Sequence, residues 1–168
     1  MRVLIMTLLV LFNFVLQTTL FKYIEIFGVI PDTMIILVVC YAVLRGDIEG
    51  SIFGFFAGLL VDLTYPQHIG FFALQGALVG YFCGKVYRDF YQENYLIPLL
   101  LTFAAMIFCG LTFYILNFLL LARTEFFRYV YLIIIPETIY TMVLALPLYR
   151  LLYSINRRVE KFEERRTR

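Results

Sequence analysis

The sequence predicts an all-α integral membrane protein, a six-transmembrane helical bundle. Three features carry this expectation: its composition, the lengths of its apolar segments and the sidedness of its charges. Of 168 residues, 62% are hydrophobic and 15% charged, against roughly 45–50% and about 25% in soluble domains. A soluble domain of this size has too little interior to hide so many large apolar side chains. Six segments come close to the roughly 20 helical residues that cross a bilayer core about 30 Å thick. They are Val3–Phe21, Gly28–Leu44, Ile48–Leu63, Gly70–Val86, Tyr95–Leu121 and Val130–Leu152. With these spans, Arg2, Arg45, Lys85, Arg88, Arg150 and the tail residues Arg157, Arg158, Lys161, Arg165, Arg166 and Arg168 share one side. Only Lys22, Arg123 and Arg128 lie on the other, and this bias puts both ends in the cytoplasm.

Each span has its own justification. The first follows Arg2 and stays apolar to Phe21 without a small-residue cleavage motif, so a retained span is expected rather than a secretory signal. Asn13 and Gln17 share one of its faces, as interhelical hydrogen-bonding residues do. The second opens with Pro31-Asp32-Thr33 and the sixth with Pro136-Glu137-Thr138. Proline suits a first helical turn, where its missing N–H costs nothing, and an acid there complements the positive end of the helix dipole. Spans two to four are short and closely joined, a pattern that also fits a re-entrant pair. Gln75 lies in the fourth span and Asn117 in the otherwise generic fifth. Tyr23, Tyr65, Tyr87, Tyr91, Tyr95, Tyr129 and Tyr131 fall near span ends, where an amphipathic ring suits the headgroup region.

The most regular pattern is a row of glycines every fourth residue, Gly46, Gly50, Gly54 and Gly58, which Asp62 continues. In lipid, helices associate through close packing, and glycine permits the closest backbone approach. The fourth span repeats the device at Gly76, Gly80 and Gly84, beside Ala73 and Ala77. These rows are expected to pack the third and fourth spans against each other or against a partner, including a second copy in a homodimer. Asp32, Asp62 and Glu137 all fall toward the outer leaflet. A carboxylate at membrane depth is costly enough to mark a candidate functional acid, with Arg123, Arg128 and His68 as possible partners.

Little points to catalysis. Cys40, Cys83 and Cys109 stand singly in apolar stretches, where they act as small hydrophobes, and His68 is the single histidine. No metal-ligand spacing, Walker loop, HExxH or GxSxG occurs. No cofactor, metal or nucleic acid is expected. Residues 1–155 read as one transmembrane domain and 156–168 as a charged cytoplasmic tail that extends the last helix. That tail reads as a solvated stop signal or as a contact for anionic lipid or a cytoplasmic partner; Glu160, Glu163 and Glu164 temper its positive charge.

Several of these residues together resemble the rod shape-determining protein MreD family. The resemblance rests on Ile30-Pro31-Asp32, the Arg45-Gly46-Asp47 turn, Gly50, Gly54-Phe55 and Gly58-Leu59-Leu60-Val61-Asp62. It continues through Gly70, Ala73-Leu74, Gly80-Tyr81 and Gly84 to Pro136 and Pro147-Leu148-Tyr149. It covers nearly the whole chain and is most specific between Pro31 and Gly84. The resemblance implies a noncatalytic component of the bacterial inner membrane that works with MreC and MreB in cell elongation. It also implies RodA, a class B penicillin-binding protein and RodZ as members of the same complex. MreD is similar in architecture to the substrate-binding subunits of energy-coupling-factor transporters, so a vitamin-type binding subunit is the alternative.

Overall fold

The local sequence dictates a chain of apolar helices, two of which are divided by a single glycine. The computed structural model describes residues 2–19, 30–64, 70–86, 96–121 and 126–166, with side chains at 8–19, 30–64, 70–86, 96–116 and 128–154. Six helical rods appear among the described residues: α1 (Arg2–Thr19), α2 (Thr33–Arg45), α3 (Asp47–Asp62), α4 (Phe71–Lys85), α5 (Leu96–Leu121) and a last, composite one. The composite rod consists of α6 (Phe126–Tyr129), a π-helical stretch Val130–Ile134 and α7 (Ile135–Arg166).

Among the described residues, two segments, Leu96–Leu116 and Val130–Ser154, are long and apolar enough to cross a membrane by length and composition. At 1.5 Å per residue the 13 residues of α2 rise only about 20 Å, and α3 and α4 about 24 and about 22 Å. These helices fall short of the full hydrocarbon thickness, as their close spacing in sequence anticipates. The boundary between α2 and α3 is a single residue. Gly46 has φ 98°, its N–H donates to the Ala42 carbonyl at 2.8 Å, and its carbonyl accepts the Gly50 N–H at 3.0 Å. One residue thus closes one helix and opens the next, in a conformation that favours glycine.

α2 is the hub. It packs against α1, α3, α4, α5 and α7, and its residues Ile36–Cys40 are buried on every side. Around it the apolar pattern turns outward. Leu8, Phe12 and Val15 of α1, Ile52 and Phe56 of α3, Leu74 and Phe82 of α4, Leu100 of α5 and Ile139 and Val143 of α7 are all exposed. A soluble protein rarely shows contiguous apolar surface on this scale, whereas lipid covers it without cost.

The two proline motifs differ from the sequence expectation. Pro31 precedes α2 rather than entering its first turn, and Asp32 is the N-cap, its Oδ1 accepting the Ile35 N–H at 3.1 Å. Pro136 stands second in α7, but α7 has no free beginning because the π stretch runs straight into it. A proline inside a helix lacks an N–H and crowds the carbonyl of the preceding turn, and a widened turn just before it relieves both problems. Glu137 therefore lies within a continuous rod, without the exposed N–H groups of a fresh helix end. Lys22, Tyr23, Tyr65, His68, Tyr87, Arg88, Tyr91, Tyr95, Arg123 and Arg168 lie outside the described residues. The side chains of Arg2, Asn117, Arg157, Arg158, Glu160, Lys161, Glu163, Glu164, Arg165 and Arg166 do too.

Candidate functional site

The glycine rows meet each other. α3 and α4 run antiparallel, and Gly46 faces Gly84, Gly50 faces Gly80, Gly54 faces Gly76 and Gly58 faces Phe72 and Ala73. The contact is backbone to backbone: a β-carbon on Gly54 would lie 2.6 Å from the Gly76 carbonyl carbon and closer still to its oxygen. One on Gly58 would lie 2.6 Å from the Ala73 α-carbon, and one on Gly84 2.5 Å from the Asp47 α-carbon. α2 closes the third side, with Ala42 and Val38 where side chains at Gly50 and Gly54 would go. Within one chain the two rows occupy each other's packing surface, the surface that a two-fold pairing through either row would need.

Asp62 ends the first row with a defined task. It is 3% exposed, and its two oxygens accept the N–H groups of Phe72 and Ala73 at 3.0 and 3.1 Å. The last residue of α3 thereby satisfies donors in the first turn of α4, which have no partner within their own helix. A carboxylate is well matched to that position, since it accepts two N–H groups and carries charge to the positive helix end.

A second polar group joins α1, α2 and α7. The Gln17 amide makes a long 3.5 Å contact to Asp32 Oδ1, and the Thr33 hydroxyl donates to Gln17 Oε1 at 3.2 Å. The Asp32 N–H donates to the Thr141 hydroxyl of α7 at 3.1 Å. One turn away Asn13 donates to the Met34 sulfur at 3.3 Å. Glu137 is half-buried and lies within electrostatic reach of Asp32. The structure thus brings Asp32 and Glu137 near each other and separates Asp62 from both by assigning it to the α3–α4 seam. Gln75 ties α4 to α5 by donating to the Cys109 carbonyl at 3.0 Å. Among the described residues, no group of three or more His, Cys, Asp or Glu could hold a metal.

Thr141 is the residue that sequence reasoning missed. Thr102 and Thr138 each donate to the carbonyl four residues earlier, as does Thr112, the usual arrangement for a hydroxyl in an apolar helix. Nothing in the local sequence separates Thr141 from them. A cleft of about 80 Å³ lies elsewhere, lined by Cys40, Pro98, Thr102, Ala145, Tyr149 and Arg150 among others. It is well below the roughly 300 Å³ at which small-molecule sites begin, and none of the three acids lines it.

The glycine seam, its aspartate cap and the apolar exterior are those of a helical membrane protein. A family model for the rod shape-determining protein MreD matches residues 1–159 of this chain. The chain belongs to the MreD family. Membership carries a role in rod shape determination, and with the two long apolar helices it makes this a membrane protein. Comparison with curated proteins gives no match, and comparison with solved structures gives none either. The MreD match extends over the seam, the hub helix and the composite rod as far as residue 159.

Proposed function

We propose that this MreD-family protein is a noncatalytic, multi-pass scaffold of the bacterial inner membrane, with both ends in the cytoplasm. In this reading it couples MreC and MreB to peptidoglycan synthesis. MreC is the expected direct partner, with RodA, a class B penicillin-binding protein and RodZ as further members of the complex. The observation that carries the reading is the α3–α4 seam. Gly50, Gly54, Gly76 and Gly80 hold two backbones together, and the opposite faces of the same helices turn Ile52, Phe56, Leu74 and Phe82 outward. A rigid pair of helices with a large apolar outer face supports the docking of another protein's membrane helix, because in lipid such association depends on shape and packing.

A vitamin-binding subunit is less well supported. Asp62, one of the acids that would line an outer pocket, already has both oxygens on backbone donors. The test is depletion of the protein in its rod-shaped host, with isolation of MreC-containing complexes in parallel. Rounded cells, dispersed wall synthesis and loss of MreC association are expected. Normal rods with an intact complex would refute the scaffold reading, and a purified protein stabilised by a vitamin would favour the alternative.

A further inference from the structure

The outward face of the α3–α4 pair is bounded by polar groups at both ends. At one end Glu49 is exposed and accepts the Tyr41 hydroxyl at 3.3 Å, and Lys85 is exposed with its ammonium turned back over the Tyr81 ring, 4.6 Å from the centroid. At the other end Asp62 caps α4, Thr64 is exposed, and Gly70 is exposed with φ 87°. The sequence that follows Thr64, Tyr65-Pro66-Gln67-His68, adds no further apolar run. Between these limits Ile52, Phe56 and Leu63 of α3 and Leu74 and Phe82 of α4 face outward. Residues 50–63 and 71–84 each rise about 20 Å, against a hydrocarbon core of about 30 Å.

The neighbouring helix does not share this limit. Phe71 and Phe72 lie against Phe113 of α5, with ring centroids 6.3 and 5.8 Å apart, and Gln75 donates to the Cys109 carbonyl. From Phe113 the helix α5 continues to Leu121, about 12 Å past the level at which α4 begins. A bilayer of even thickness that covers α5 therefore submerges the Asp62 end of the α3–α4 pair in hydrocarbon. Irregular backbone that faces lipid at such depth is not tolerated, because its N–H and C=O groups have no partner there. Thr64 and Gly70 are exposed at just that end. The headgroups have to come down to meet it, and an apolar face shorter than the bilayer draws the bilayer thinner.

We infer that the α3–α4 pair thins the bilayer along its outward face, chiefly in the leaflet at the Asp62 end, and that phospholipids with short acyl chains gather there. The inference rests on α3 and α4 crossing the membrane and needs no protein partner. Asp62 accepts the Phe72 N–H, so Leu63 lies nearly level with Phe113, and Ile115 of α5 stands no lower on the molecule; both Leu63 and Ile115 are exposed. The purified full-length protein, spin-labelled at Leu63→Cys or Ile115→Cys, is reconstituted in dioleoyl phosphatidylcholine; Cys40, Cys83 and Cys109 are buried. Label depth is read from collisions with oxygen and with a water-soluble nickel chelate. The Leu63 label is expected at the headgroups, about 10 Å shallower than the Ile115 label, which is the shortfall of a 20 Å face in an ordinary bilayer. The sequence has no tryptophan, so Phe56→Trp and Phe103→Trp each install a single reporter, one on α3 and one on α5. In bilayers that mix dimyristoleoyl and dierucoyl phosphatidylcholine, with bromine on one lipid at a time, the Phe56→Trp reporter is expected to favour the short chain by about twofold or more. The Phe103→Trp reporter is expected to show no such preference. Equal depth for the two labels, or equal quenching by the two lipids at Phe56→Trp, would overturn the proposal. So would self-association that grows with acyl-chain length while the Leu63 label stays deep, which would put a second copy on this face in place of lipid. None of these outcomes alters the depletion assay that tests the scaffold.

Discussion

The seam between α3 and α4 makes a quantitative prediction at Gly54. An alanine there has the smallest possible side chain, yet its β-carbon would lie 2.6 Å from the Gly76 carbonyl carbon, where ordinary contact begins at 3.4 Å. The helices must part by about 0.8 Å to clear that carbon and by more to clear the nearer Gly76 carbonyl oxygen, and Val38 on α2, 3.0 Å from the same β-carbon, blocks a simple sideways escape. Overpacking of this kind costs about 1–3 kcal/mol, and parting two backbones also weakens the contacts at Gly50 and Gly58 on either side. Gly54→Ala is therefore expected toward the upper end of that range and Gly54→Leu beyond it. Gly76→Ala opens the same gap from the other side, so the double variant is expected to lose less than the sum of the singles. Such non-additivity is what residues in contact produce. Ile52→Ala, on the exposed face of the same helix, serves as control and is expected within about 0.5 kcal/mol of the parent. The measurement is reversible unfolding in mixed micelles, with a cysteine pair across the seam to report separation. A Gly54→Ala protein as stable as the Ile52→Ala control would show that the backbones do not approach this closely.

Further predictions concern the polar ties. Asp62→Ala removes the acceptor for two N–H groups of α4 and is expected to cost about 2 kcal/mol or more in the same unfolding assay, whereas Asp62→Asn keeps one good acceptor and is expected to retain part of it. Thr141→Val leaves the Asp32 N–H without its acceptor at nearly unchanged volume, for an expected loss of about 1–3 kcal/mol; Thr138→Val, whose hydroxyl bonds only within its own helix, is expected to be milder. Gln17→Leu breaks the link from α1 to Asp32 and Thr33, and is expected to raise the accessibility of a cysteine at Val10 to a membrane-permeant label while the α3–α4 seam stays closed.

The seam was partly legible in the sequence because its mechanism leaves a mark on one residue type. Only glycine permits backbone contact along a whole helix face, so a spacing of four from Gly46 to Gly58 announces such a face in the linear chain. The register of the opposing row was not legible, since it depends on how α3 and α4 pair in space and on the plug that α2 provides with Ala42 and Val38. Asp62 shows the same division. Its cost in an apolar helix is plain from sequence, but its recipients lie ten and eleven residues on, and only the antiparallel packing of α3 and α4 brings them within reach. Pro136 misled because a proline followed by an acid and a threonine looks alike at a helix start and just after a widened turn.

The seam and the polar ties divide the molecule mechanically. α2, α3 and α4 are joined through backbone contact and a buried cap, interactions that fail together and demand precise geometry. α1 is attached differently. Among its described residues it meets the core through Val10, Leu9 and Phe14, with Asn13 and Gln17 as hydrogen-bonding links, while Leu8, Leu11, Phe12 and Val15 face outward. In lipid those outward residues gain little from burial, so among its described residues α1 is held by packing at Leu9, Val10 and Phe14 and by links that another polar membrane helix could replace. On the scaffold reading proposed above, such an arrangement would keep the central surface fixed while α1 is the helix free to take other polar neighbours. The Gln17→Leu variant separates these two properties, because it loosens the replaceable links and leaves every glycine contact of the seam in place.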